Sequence, residues 1–386
     1  MNSLPCKPGQ AAVLAALLAW LAPRAARAED SISYKFEYYR EMGGRIAVDT
    51  HGAYIEKDLG TDTKVKLEGI IDSIAGATPN GQPARTGSDQ VRLSPMHERR
   101  KAWSGNIAHQ FKRINVALGA ANSRESDYVS TGWSVNTITD FNQKNTTLLV
   151  GVAGTDDKIK VFYQIPRAAK ETNDVILGVT QLLDPQTALS FNITFGRQRG
   201  YLADPYKIVQ KNVEILSGIF LPLTFGESRP AERDKWIGLV TYNRSFPEAR
   251  GALDASYRFY RDSFDTFAHT VDLAWFQRAG AKLILRPGVR FYDQSAAYFY
   301  HYSLDDTTVA PFSGPPRRNG PFYSSDYRLS AMQTFTYGLK VIFNATPALS
   351  FDAAYERYDM RGSDHVTPQS AYCRANIVTL GAKFSW

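Results

Sequence analysis

The sequence predicts an all-β chain: a transmembrane antiparallel up-and-down β-barrel of about sixteen strands, with fourteen and eighteen as the alternatives. Three observations predict it. Apolar and polar residues alternate with a period of two along almost the whole chain, and no comparably long run has helical spacing. Links between these runs are short and long in turn, as tight inner turns and long outer loops of a barrel would be. Beyond residues 11–22 no segment approaches twenty apolar residues, and mean hydropathy is −0.31. That excludes a helical membrane protein but not a barrel, whose strands show lipid only at every second residue.

The N-terminus is set apart. Residues 11–22, AAVLAALLAWLA, form an apolar run followed by PRAARA, and Ala26 and Ala28 supply the small residues of an A-x-A cleavage site. Residues 1–28 therefore read as a secretory signal peptide, against the alternative of a buried helix, and residues 29–386 as one barrel domain. The run is too short to span a bilayer. Cys6 precedes it, where a lipoprotein cysteine would follow, so lipidation is discounted. Cleavage removes Lys7, Arg24 and Arg27 and no acid, taking the net charge from +7 to +4. That mild excess gives no argument for nucleic acid. Cys373 alone remains, so there is no internal disulfide framework.

The strands follow in order, with the last one taken to end in the periplasm. They fall at roughly 31–41, 45–58, 61–75, 99–110, 113–123, 127–140, 144–155, 169–183, 186–198, 234–246, 249–261, 265–278, 281–294, 325–344, 348–359 and 373–386. In the first, Ile32, Tyr34, Phe36 and Tyr38 alternate with Ser33, Lys35 and Glu37. Leu189, Phe191, Ile193 and Phe195 alternate with Ser190, Asn192, Thr194 and Gly196. Leu349, Phe351, Ala353 and Tyr355 alternate with Ser350, Asp352 and Glu356. Short turns include KDLGTD (57–62), DFNQKN (140–145) and FNATPA (343–348); long links lie near 76–98, 156–168, 199–233, 295–324 and 360–372. Closure is expected because in hydrocarbon every backbone N–H and C=O needs an internal partner. Tyr257, Phe259 and Phe291 near outer strand ends, and Phe111, Phe246 and Phe343 near inner turns, suit two interfacial aromatic belts.

Two resemblances follow from particular residues. Thr379-x-Gly381-x-x-Phe384-x-Trp386 resembles the C-terminal signal of bacterial outer-membrane proteins, with Trp at the last place where Phe is commoner. It implies the outer membrane of a Gram-negative bacterium, and the barrel-assembly machinery as a partner that reads this strand. VDTHGAYIEKDL (48–59) and GIIDSIAGATPNG (69–81) resemble the start of a bacterial family catalogued only as a domain of unknown function (thirty-five seventy). That resemblance implies no activity. It brings only an association with periplasmic redox proteins, and so with a periplasmic redox or metal-handling partner.

Sixteen strands enclose a lumen too wide for side chains to fill. The leading expectation is a channel for small hydrophilic solutes or ions. Lys282, Arg286 and Arg290 are expected as an inward basic ladder, with Arg250 and Arg258 inward on the neighbouring hairpin. Asp352 and Glu356 would form an acidic ladder on an opposed wall, and the two would set up a transverse field. The bland alternative is that a wet wall needs hydrated, paired charges. The link at 199–233 carries Ile215, Leu216, Ile219, Phe220, Leu221 and Leu223, too apolar for a freely solvated loop. It is expected to constrict the barrel, to lie over the mouth, or to hide another hairpin. Arg92, Arg99, Arg100, Lys101, Arg317 and Arg318 fall on outer links, to meet lipopolysaccharide phosphates or simply water. Asp49 and His51 are read as inward, a weak acid–base or metal pair too small to count as a site. No G-x-S-x-G, H-E-x-x-H or C-x-x-C-H occurs, so no enzyme is expected and no cofactor is assigned. An outer-membrane hydrolase and a scaffold for a redox partner stand as the rival readings.

Overall fold

The computed structural model describes residues 30–386 apart from 86, 162, 163, 306 and 308–318. Its strands are β1 Ser31–Glu41, β2 Ala47–Asp58, β3 Thr63–Pro79, β4 Leu93–Phe111, β5 Ile114–Arg124 and β6 Tyr128–Phe141. Next come β7 Thr146–Val161, β8 Gln164–Asp184, β9 Thr187–Gly200, β10 Ile208–Leu216, β11 Ile219–Gly226 and β12 Glu232–Phe246. The last are β13 Gly251–Asp262, β14 Phe267–Ala279, β15 Leu283–Gln294, β16 Met332–Asn344, β17 Leu349–Gly362 and β18 Arg374–Ser385. Sixteen of them close into one antiparallel barrel, each pairing with its neighbours in sequence; β10 and β11 form a separate two-stranded hairpin between β9 and β12.

The first and last strands seal the barrel. They pair from Ser31↔Ser385 to Glu41↔Ala375. The Trp386 N–H donates to the Asp30 carbonyl at 3.1 Å, and the Phe384 and Trp386 rings stack 5.9 Å apart. The aromatic end of the chain thus secures the seam, and the barrel sheet itself has no open edge.

Alternation fixes the two faces. Leu67, Trp103, Leu118, Phe191, Phe291, Leu339, Tyr355 and Leu380 are exposed and point out of the barrel. Keeping one such side chain from water is worth roughly 1.5–3 kcal/mol, so this surface suits lipid rather than solvent. Asp30, Trp386 and the short turns lie at one end, here the turn end. The long links lie at the other, the loop end.

Four boundaries depart from the periodicity. β4 starts at Leu93 rather than 99, because its ladder with β3 runs on to Pro79↔Leu93. β7 and β8 run to Val161 and from Gln164, so most of the expected link at 156–168 is ladder. β16 starts at Met332 rather than 325. For β4, β7 and β8 one physical cause operates: beyond the lipid both faces of a strand are wet, so alternation fades before pairing does. β16 is instead cut short because Tyr327–Leu329 forms a 3-10 turn capped by Asp326. The fourth departure is at 199–233, where the extra hairpin is the alternative that holds.

Buried apolar groups gather at the loop end. Met332, Met360, Ala371, Tyr372 and Cys373 form one cluster; Phe264, Ala297, Phe299 and Leu329 another. Ile159, Val161 and Ala168 form a third, and Val209, Leu304 and Tyr323 a fourth. A barrel with a wet interior needs no such cores. They belong to a cap.

Candidate channel wall and capped mouth

The inward face is polar and mostly charge-paired. On β15, Arg286 and Arg290 face inward, into a wall recess of about 310 Å³ with Asp254, Ser256, Asp272 and Glu356. Arg290 Nη1 lies 3.5 Å from Asp272 Oδ1, and Lys340 Nζ lies 2.9 Å from Asp352 Oδ2. Elsewhere on the wall Lys66 meets Glu56 at 2.8 Å, and Lys170 meets Asp157 at 2.8 Å. Arg258 also faces inward, on β13, with its guanidinium 5.5 Å from the Tyr260 ring centre.

Three expectations need correction. Lys282 and Arg250 are not on the wall. Lys282 lies in the β14–β15 turn, where its ammonium donates to the Ala345 carbonyl at 3.0 Å. Arg250 ends the β12–β13 turn with φ +50° and its N–H on the Pro247 carbonyl. Nor do the ladders oppose each other. β15 and β17 are separated by β16 alone, so Arg286 and Arg290 share one wall with Asp352 and Glu356. An up-and-down barrel keeps neighbours in sequence as neighbours in space, so ladders this close along the chain cannot face across the lumen.

Asp49 and His51 are the third correction. They pair with Tyr38 and Phe36, so they share the outward face. His51 Nδ1 is 2.7 Å from the Tyr34 hydroxyl. β2 is polar on both faces, and only its register with β1 decides which face is which. Among the described residues no group of three His, Cys, Asp or Glu side chains is placed to hold a metal.

The terminal motif divides between the faces. Phe384 and Trp386 point outward; Thr379 and Gly381 point inward. Thr379 Oγ1 donates to Glu37 at 3.3 Å. A Cβ on Gly381 would lie 2.3 Å from Asp352 Oδ1, so the glycine makes room for the Asp352–Lys340 pair.

Over this wall lies the cap. Loops 80–92, 201–231, 295–331 and 363–373 leave the rim at separated points, with five strand steps from β4 to β9 and three from β12 to β15. At about 4.8 Å per step, β4 and β9 are roughly 25 Å apart along the wall. Contacts between such loops must cross the mouth. The Ile208 N–H donates to the Asn80 carbonyl at 2.9 Å, and Ser325 Oγ donates to the Ile208 carbonyl at 2.7 Å. Ser228 and Tyr323 exchange backbone hydrogen bonds of 2.9 and 2.7 Å. Gly81 has φ +97°, and a Cβ there would sit 2.3 Å from both Ile208 O and Ser325 Oγ.

A buried ionic network locks these loops, and periodicity gave no sign of it. Arg229 Nε lies 2.8 Å from Glu227 Oε1, and its Nη2 lies 2.9 Å from Asp326 Oδ2. Arg328 reaches Asp204 and Asp326, each at 2.6 Å. Lys207 donates to the Pro79 carbonyl. Ser324 Oγ donates to Glu227 at 2.5 Å. Burial, with Asp326 and Asp204 nearby, pushes the Glu227 carboxyl up to about 7, against the pull of Arg229. Burial would also raise Asp326, but Arg328, Arg229 and Lys207 together hold it well below the usual carboxylate range. Burial pulls Lys207 down. Beyond the lock the hairpin tip is bare: Leu216, Ile219 and Phe220 are each more than half exposed.

A family model described as "Protein of unknown function (DUF3570)" matches residues 10–374. The chain belongs to that family. No curated protein matches the sequence. Among solved structures the chain is similar to a ferric enterobactin receptor mutant of Pseudomonas aeruginosa, at 12% identity and a TM-score of 0.44. That match covers 88% of this chain and 54% of the receptor, so the chain spans about half the receptor's length. It is also similar to a loop-deletion mutant of OmpT, an outer membrane protein of Vibrio cholerae, at 8% identity and a TM-score of 0.44, covering 93% of this chain and 99% of that one. The CymD monoaromatic hydrocarbon channel matches at 10% identity and a TM-score of 0.42, covering 92% of this chain and 88% of that one. The barrel resembles Gram-negative outer-membrane proteins.

Proposed function

We propose that the protein is an outer-membrane channel for small hydrophilic solutes or ions, with the loop end outside and the cap as its gate. One observation carries this reading. A polar, ion-paired wall, which needs water, lies beneath loops that are bonded to one another across the mouth. Because cations and anions alternate on one wall, the open pore discriminates weakly by charge. In the same reading the barrel-assembly machinery engages β18 through Thr379, Gly381, Phe384 and Trp386.

The test is conductance of the refolded protein in a planar bilayer, with the reversal potential taken in a salt gradient. Intermittent small openings with a reversal potential near zero are expected. A folded barrel that stays silent even after its cap loops are shortened would refute the channel.

A further inference from the structure

We infer that the outward face of β4 and β5, just above the apolar band, is a docking site for a phosphate-bearing lipid head group, the phosphates of lipopolysaccharide in the outer leaflet. The inference rests on the outward face meeting lipid, not on the channel reading.

The site is built from three cations. Arg99 and Lys101 lie on the same face of β4 as Trp103, and Lys101 is two residues closer to the loop end. Arg124 on β5 is the direct cross-strand partner of Lys101. All three are exposed, and so is Trp103, at 55%. Trp103 marks the aromatic belt, so one pleat step of about 6.6 Å carries Lys101 from the belt to the head-group level.

Two features distinguish this patch. Like charges directly opposed across strands are unfavourable, so Lys101↔Arg124 costs stability unless an anion sits between them. Among the described residues none of the three has an acidic partner. Some other outward cations at the loop end do: Arg197 lies 2.6 Å from Asp234, and Arg357 lies 3.3 Å from Asp359. Arg40, Arg261 and Arg361 stand opposite Asn376, Phe267 and Gln333 rather than a second cation. The nearest outward acids are set apart. Asp49 lies two strands from Arg99 across Ser73; Asp156 on β7 lies beyond β5 and β6. Farther along the row, across Val129, Lys158 adds a fourth cation.

The outer-link expectation is narrowed accordingly. Arg99, Arg100 and Lys101 are strand residues, and Arg100 turns inward to Asp72 at 2.5 Å. Arg317 and Arg318 lie outside the described residues. Arg124 was not anticipated, because only the β4–β5 register brings it to Lys101.

The experiment measures binding of bisphosphorylated lipid A to the refolded full barrel by native mass spectrometry. Dephosphorylated lipid A and inorganic phosphate are the comparison ligands. Lys101→Gln and Arg124→Gln are each expected to weaken binding by about fivefold. Arg286→Gln, on the inner wall, is expected to leave it unchanged. Without lipid A, Lys101→Gln should melt higher than wild type, since it removes the like-charge pair; with lipid A the order should invert. Equal binding of the dephosphorylated lipid, or wild-type binding by both outward variants, would overturn the site. Binding of inorganic phosphate as tight as that of lipid A would overturn the lipid as its source.

Discussion

Asp326 faces two guanidinium groups and a lysine in a space with almost no water. Replacing it by Asn takes one carboxylate from the half-exposed Arg328 and leaves the largely buried Arg229 with too little negative charge, a change that for a buried pair typically costs about 3–5 kcal/mol. The cost falls on the cap, so Asp326→Asn should hasten protease cleavage in loops 201–231 and 295–331 while the barrel keeps its melting temperature. Glu227 gives the cap a pH dependence. Its folded pKa, about 7, lies above the ordinary value of 4.5, so the folded cap holds the proton more tightly than the opened one. The stability it contributes is complete below about 4.5 and is lost as pH rises through 7. Channel opening should therefore increase between pH 6 and 8, and Glu227→Gln should flatten that rise; an equal rise in the variant would assign it to another group. None of this network is legible in the sequence. Glu227 and Asp326 are separated by four whole strands, and no local pattern ties GES to SSD.

At the level of elements, the barrel strands were legible wherever lipid imposes its alternation. Leu189–Phe195 and Leu349–Tyr355 read as strands because a membrane strand shows one greasy face. The upper ends of β4, β7 and β8 lacked that signal. β2 kept its period but hid its facing, since Asp49 and His51 are polar residues on the outward face. The ladders of β15 and β17 were legible as ladders, and only the strand order showed that they share a wall. Apolar density marked residues 199–233 as no ordinary loop, but constriction, lid and hairpin all remained open, and only pairing shows the β10–β11 hairpin. Its base is held by the Ser228–Tyr323 bridge, which suggests a lock. With Cys373 replaced by Ser, the pair Ser228→Cys and Tyr323→Cys should cross-link under oxidation and suppress openings, and reduction should restore them. Failure to cross-link in a folded protein would contradict the bridge.

For the whole molecule, the proposed channel depends on a water-filled barrel and a mouth that its own loops cover. Charge pairing along β14 to β17 predicts weak selectivity, and removing half of a pair should create a preference. Asp352→Asn frees Lys340 and should shift the reversal potential toward anions; Lys340→Gln should shift it the other way. The most direct test of the capped channel compares single-channel conductance of wild type with a variant in which residues 208–226 are replaced by a short turn and Asp326 by Asn. Wild type is expected to show brief, small openings, and the variant long openings several times larger. Large, steady wild-type currents that the variant leaves unchanged would contradict the cap.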